Sequence, residues 1–174
     1  MTALVGVRSV SPKGLVFIER WEGCVLHPYN DSSGYATIGI GHLLHRSPVT
    51  QADVAHFAAY RGLDGDEKPH PFDQEDALEL LASDLAWVQH DILAYIHPKL
   101  GHDHFDALAD LVFNCGPAPL TGTVGELYNA QKWEAAANAL LGWCHATENG
   151  QLVVVPGLLA RRQAEAELLL HGTY

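Results

Sequence analysis

The chain has 174 residues, 48% hydrophobic and 18% charged, which suits one globular domain, or two small lobes sharing a helix, with a sizeable core. Ten lysines and arginines stand against 21 aspartates and glutamates, a formal net charge of −11 that argues against nucleic acid or an anionic membrane as partner. No run of eighteen apolar residues exists, and the apolar stretch after Met1 is too short for a secretion signal, so a protein made in the cytoplasm without membrane insertion is expected. Eleven histidines could bring the charge towards zero near pH 5. Cys24, Cys115 and Cys144 are an odd number for such a chain and are expected as buried free thiols, rather than as redox control through Cys24 beside Glu22.

Ser11-Pro12 reads as an N-cap followed by proline at the first helical position, and Gly23 as the glycine that ends the helix. At 100° per residue, Leu15, Phe17, Ile18 and Trp21 share one sector, and Glu22 falls inside it. A carboxyl group in the last turn, partly desolvated and near the carbonyl end of the helix dipole, is placed to act as a general acid. The turn formers Tyr29-Asn-Asp31-Ser-Ser-Gly34 follow, and in that polar setting Asp31 suits the part of a base. The strand predicted for Tyr35–Gly41 alternates, with Ala36, Ile38 and Ile40 on the apolar face and Thr37 on the other. An acid, a base and a hydroxyl brought together by helix, turn and strand suit hydrolysis of a glycosidic bond.

Beyond a loop at His45–Thr50, a short helix is predicted over Gln51–Tyr60 with Val54, Phe57 and Ala58 inward. Arg61 to Pro71 reads as a surface loop, whose Asp64-Gly-Asp66-Glu67 lacks the rest of a calcium-loop pattern. Asp73, with Asp76 three residues on, opens the longest helix, about 22 residues from Glu75 to Ile96, carrying the stripe Leu81, Leu85, Val88, Ile92 and Ile96. His97, His102 and His104 fall in the next loop and are expected to be solvated, without a metal. Further helices follow around Phe105–Cys115, Thr123–Ala130, Trp133–Leu141 and Leu158–His171, with a break at Gly116-Pro-Ala-Pro. The predicted class is α+β and mostly helical.

Glu22-Gly23, Tyr29, Gly34-Tyr35 and Thr37-Ile-Gly-Ile-Gly-His42-Leu-Leu44, with Glu, Asp and Thr separated by eight and five residues, closely resemble the catalytic segment of the phage-type lysozymes, glycoside hydrolase family 24. Phe113-Asn114-Cys-Gly and Pro156-Gly-Leu followed by Arg161-Arg162 resemble that family's later segments. The resemblance implies a single lysozyme-like catalytic domain over 1–174. A small lobe (about 23–74) and a helical lobe (about 97–174, with the N-terminal helix 12–22) would be joined by a central helix at about 75–96. It implies Glu22, Asp31 and Thr37 as the catalytic set, with Leu43, Phe113 and Asn114 meeting the saccharide. It also implies a His42–Asp84 ion pair, no metal and no cofactor. The implied activity is N-acetylmuramidase cleavage of bacterial peptidoglycan by a monomer that depends on a holin or an injection machine for export. Lytic transglycosylase and a catalytically silent saccharide-binding module are the alternatives.

Overall fold

The computed structural model describes residues 9–65, 67–148 and 150–174, and only the backbone of Glu148. The readings that involve Met1–Arg8 and Asp66 therefore lie outside the described residues. Contacts divide the chain into two compact units, one of residues 18–84 and one of residues 85–174 together with the N-terminal residues up to Phe17.

Helix α1 (Pro12–Glu22) begins and ends as its sequence dictates. Ser11 Oγ accepts the Gly14 N–H at 3.1 Å, and Gly23, at φ +76°, donates its N–H to the Glu19 carbonyl at 2.8 Å. The 18–84 unit then adds an antiparallel sheet in the order β1 (Val25–Asn30), β2 (Ala36–Gly39), β3 (His42–His45). The single strand predicted for Tyr35–Gly41 is therefore two elements. Glycines at 39 and 41, with φ of +62° and +75°, turn the chain from β2 into β3. Strand β1 has no clear alternation because it is an irregular outer strand that contains Pro28. As the middle strand, β2 is buried on both faces, so Thr37 is 4% exposed rather than on an open face.

Helix α2 (Gln51–Ala58) carries a complete Thr50–Asp53 capping box, but of the three residues expected inward only Phe57 is buried, and Val54 is 44% exposed. Phe57 is its one buried side chain, and Asp53 also meets His45 Nε2 of β3 at 3.1 Å. Phe57 stacks on Tyr60 at 5.4 Å and meets Phe72 edge-on at 5.3 Å. The predicted stripe from Leu81 to Ile96 is buried throughout, yet two helices carry it, α3 (Gln74–Asp84) and α4 (Ala86–Tyr95). The break is confined to Leu85, whose φ of −74° and ψ of 0° stay close enough to helical values for the 3.6-residue rhythm to persist across it.

In the 85–174 unit, α5 (His102–Cys115) is the buried centre, with Phe105, Leu108, Leu111 and Val112 inside. A short turn, α6 (Ala118–Thr121), follows the Gly116 break, then α7 (Thr123–Asn129), α8 (Trp133–Leu140) and the closing helix α9 (Pro156–His171), which packs on α5 and α8. Between α8 and α9 lies a hairpin absent from the sequence reading, β4 (His145–Glu148) paired with β5 (Gln151–Val154). Its sequence signal is the dipeptide Asn149-Gly150 between the two runs.

One buried carboxylate ties the N-terminus of α1 to this unit. Asp106, fully buried on α5, accepts the Ser11 N–H at 2.9 Å, the Ser11 hydroxyl, and the Tyr174 hydroxyl at 2.7 Å. The same contact explains a glycine in the first turn of α1, since a Cβ on Gly14 would lie 2.4 Å from Asp106 Cγ. Alanine within a helix normally gains about 1 kcal/mol over glycine. Here Gly14→Ala is expected to cost about 1–3 kcal/mol, because three bonds hold the carboxylate it would strike. Urea denaturation of the variant reads the sign directly, and a gain would show that Asp106 can move aside.

His104 also differs from its expectation as a solvated loop residue. It sits in the first turn of α5, hydrogen-bonded to the buried Tyr128 hydroxyl and edge-on to Trp133 at 5.3 Å. Burial pushes its pKa below the ordinary 6.5, against the smaller opposing pull of Asp103. The unfolded chain therefore takes up this proton first. The stability contributed by neutral His104 is fully present above pH 6.5 and is lost as pH falls towards the folded value. His104→Phe is thus expected to lower the melting temperature more at pH 7.5 than at pH 5, whereas equal losses at both would contradict the linkage.

Candidate active site

Glu22, Asp31, Thr37 and Leu43 all belong to the 18–84 unit. Glu22 is the last residue of α1, set there by Gly23. Its expected partial desolvation is not observed. Burial along the apolar sector is deepest at Phe17 and Ile18, Leu15 and Trp21 are half-buried, and Glu22 itself is exposed at the end of the helix. The carboxyl group stands at the carbonyl end of the helix.

Asp31 and Thr37 are joined through the backbone of a single residue, Tyr35. The Tyr35 N–H donates to Asp31 Oδ1 at 2.9 Å, and the Tyr35 carbonyl accepts both the Asp31 N–H at 2.9 Å and the Thr37 hydroxyl at 3.1 Å. The Ser33 N–H adds a second bond to Asp31 Oδ1 at 2.8 Å, and Gly34, at φ +80°, lets the turn close. Two backbone donors thus fix one carboxylate oxygen, while Oδ2 accepts no hydrogen bond among the described residues. Thr37 spends its proton on the Tyr35 carbonyl, so its oxygen remains able to accept. The turn residues were legible in the sequence, but the junction at Tyr35 was not, because it is made of backbone atoms.

Ladder pairing sets Leu43 of β3 opposite Thr37, and its side chain is 43% exposed. His42 Nδ1 meets both Asp84 oxygens, at 3.0 and 2.9 Å, which is the ion pair implied by the resemblance. Burial, then the Glu19 charge, pushes the Cys24 thiol up, away from the thiolate that redox control would need. The three cysteines are free, but only Cys144 is buried.

Phe113 and Asn114 lie on the last turn of α5 in the other unit, Phe113 half-buried and Asn114 exposed. Asn114 lines an open cavity of about 440 Å³ with Trp143, Leu152 and Leu158. Two larger cavities, about 560 and 550 Å³, open beside the Arg61–Gly65 loop and are lined by none of Glu22, Asp31 and Thr37. Neither paired arginine of α9 is solvent-exposed. Arg161 holds Asp110 by two bonds, at 3.0 and 2.8 Å, while Arg162 donates to Glu165 and, at 2.8 Å, to Cys115 Sγ.

The profile of the family described as phage lysozyme matches residues 19–165. The endolysin of Salmonella phage P22 is 33% identical over 162 residues, 92% of this chain and 97% of that one. The solved endolysin from Escherichia coli O157:H7 phage FAHEc1 superposes with a TM-score of 0.74 at 28% identity, covering 95% of each chain. The muramidase domain of SpmX from Asticaccaulis excentricus gives 0.71 at 26% identity, covering 92% of this chain and 97% of that domain. The chain belongs to the phage lysozyme family, a family of peptidoglycan hydrolases.

Proposed function

We propose that the chain is an N-acetylmuramidase, cleaving the β-1,4 bond between N-acetylmuramic acid and N-acetylglucosamine with inversion. The observation that carries this reading is the Tyr35 backbone, whose N–H and carbonyl hold Asp31 and Thr37 with a carboxylate oxygen and a hydroxyl oxygen left to accept. A water donating one proton to Asp31 Oδ2 and the other to Thr37 Oγ1 would be aimed by both and activated by the carboxylate. Glu22 would protonate the leaving oxygen from the opposite face of the sugar. Leu43, Phe113 and Asn114 would contact the saccharide. No side chain in this scheme calls for a cofactor or a metal.

No helix among the described residues is long and apolar enough to cross a membrane. In this reading the enzyme is a monomer made in the host cytoplasm, and it depends on a holin or an injection machine to reach periplasmic peptidoglycan. Digesting purified peptidoglycan and weighing the fragments tests the reaction. The expected fragments end in reducing N-acetylmuramic acid. A 1,6-anhydro end would make the protein a lytic transglycosylase, and no release of fragments would make it a binding module.

A further inference from the structure

We propose that the cavity walled by Trp143 and the β4–β5 hairpin is a subsite for one N-acetyl sugar of the glycan strand, with the Trp143 indole as its platform. The proposal rests on the muramidase reading and adds to the saccharide contacts at Leu43, Phe113 and Asn114. The cavity lies within the 85–174 unit, is open, and has a volume of about 440 Å³, in the range of small-molecule pockets. Asn114 lines it, so a residue already expected to meet saccharide shares its wall with Trp143, His145, Leu152 and Leu158. Among the described residues, none of the lining side chains is Asp, Glu, Lys or Arg. The two cavities beside the Arg61–Gly65 loop, by contrast, both carry Arg61 and Asp64. On a chain with a net charge of −11, this wall favours a neutral, hydroxyl-bearing ligand over a charged one.

The local chain builds these walls. Leu141–Trp143 form a single 3-10 turn after α8, and the Val155 N–H, donating to the Cys144 carbonyl at 2.8 Å, closes the hairpin that follows. His145 pairs with Val154 and Thr147 with Leu152, so these four share one face of the hairpin. All four are exposed, while Ala146 and Val153 on the other face are half-buried. An outward face ordinarily carries polar side chains, yet Leu152 is 71% exposed and Val154 49%. The uncovered Leu152 therefore borders a hollow that a ligand can fill. A sugar ring presents an apolar C–H face that suits stacking on an indole. Its acetamido group offers a methyl to Leu152 and a donor and an acceptor to the Asn114 amide. His145 Nδ1 lies 3.1 Å from the Gly142 carbonyl, which favours the tautomer with its proton there and leaves Nε2 to accept from a sugar hydroxyl. A stem peptide, which brings carboxylates, meets no lysine or arginine along this wall.

The test follows the indole N–H signals of the full chain by nitrogen-15 NMR during titration with a tetrasaccharide of β-1,4-linked N-acetylglucosamine. Glu22→Gln is carried throughout so that the probe survives, and Trp143→Phe assigns the Trp143 signal among the four tryptophans. The expected result is a saturable shift of the Trp143 signal. In the same background Trp143→Ala should weaken binding about tenfold or more, and Trp143→Phe, which keeps an aromatic ring, should lose less. Leu152→Ser, on an exposed position that the fold does not need, should weaken it about threefold. Unchanged affinity in Trp143→Ala, or in Leu152→Ser should the first not fold, would overturn the proposal. So would an unmoved Trp143 signal at millimolar tetrasaccharide, or a shift produced by a free stem peptide and not by the sugar. Peptidoglycan digestion by the wild type is read separately. An unmoved signal in a chain that releases reducing N-acetylmuramic acid ends overturns the subsite alone, whereas absent release overturns the muramidase reading beneath it.

Discussion

Glu22→Gln is expected to lower the rate of peptidoglycan cleavage at least about a thousandfold, in line with the loss of a positioned general acid. Glutamine keeps the size and hydrogen-bonding reach of the side chain but has no proton of suitable acidity for the leaving oxygen. The side chain is exposed at the end of α1, while the helix is held by the buried Phe17 and Ile18. The far-ultraviolet circular dichroism of the variant should therefore match the wild type. Asp31→Asn makes the complementary case. Asparagine Oδ1 can still accept the Ser33 and Tyr35 N–H groups, so the turn survives while the base is lost. A comparable fall in rate is expected, and near-normal activity would remove Asp31 from the mechanism. Thr37→Val keeps the shape of a buried position and removes one acceptor from the water, with an expected penalty of about 2–4 kcal/mol in activation free energy.

The largest effect on stability is expected at Asp110→Ala, about 3–5 kcal/mol. Asp110 is fully buried and Arg161 is 4% exposed, so deleting the carboxylate removes the two-bond partner of a guanidinium in the interior of the 85–174 unit. The surroundings already hold charge with difficulty. Burial, then the hydrogen bond and charge of Asp110, push the Glu165 carboxyl well above the usual carboxylate range, and the two arginines do not reverse this. Among the described residues, Arg162 Nε has no hydrogen-bond partner. Removing Asp110 frees Glu165 to ionise towards Arg161, 3.9 Å away, which softens the loss without repairing it. The check is the urea midpoint at unchanged denaturant slope. A shift worth less than about 1 kcal/mol would mean that water reaches the cluster.

The places of Glu22 and Asp31 were legible in the sequence because short-range rules set them: an N-cap, proline and glycine frame the helix that ends at Glu22, and turn formers surround Asp31. The Thr50–Asp53 and Asp73–Asp76 caps follow the same local rules, although only the second was anticipated. Apart from His42–Asp84, which the family resemblance supplied, pairings across long separations were not legible. Nothing at position 161 indicates that its partner lies 51 residues earlier, nor does Gly14 announce the Asp106 carboxylate beside it. Periodicity misled where it reports facing but not depth. Thr37 faces away from the apolar side yet is covered because its strand is central, and Glu22 shares the apolar sector yet is exposed because the sector outruns its packing. The break at Leu85 was invisible for a related reason, since one residue of near-helical backbone leaves the stripe intact.

The arrangement of Asp31 and Thr37 around a water makes a stereochemical claim, and proton NMR of the first cleavage products, recorded before mutarotation, tests it most directly. Attack by a positioned water on a β-linked substrate releases the α-anomer at the new reducing end, which is the result expected here. Release of the β-anomer would mean that a covalent intermediate had formed at a carboxylate, and it would contradict the roles assigned to Asp31 and Thr37.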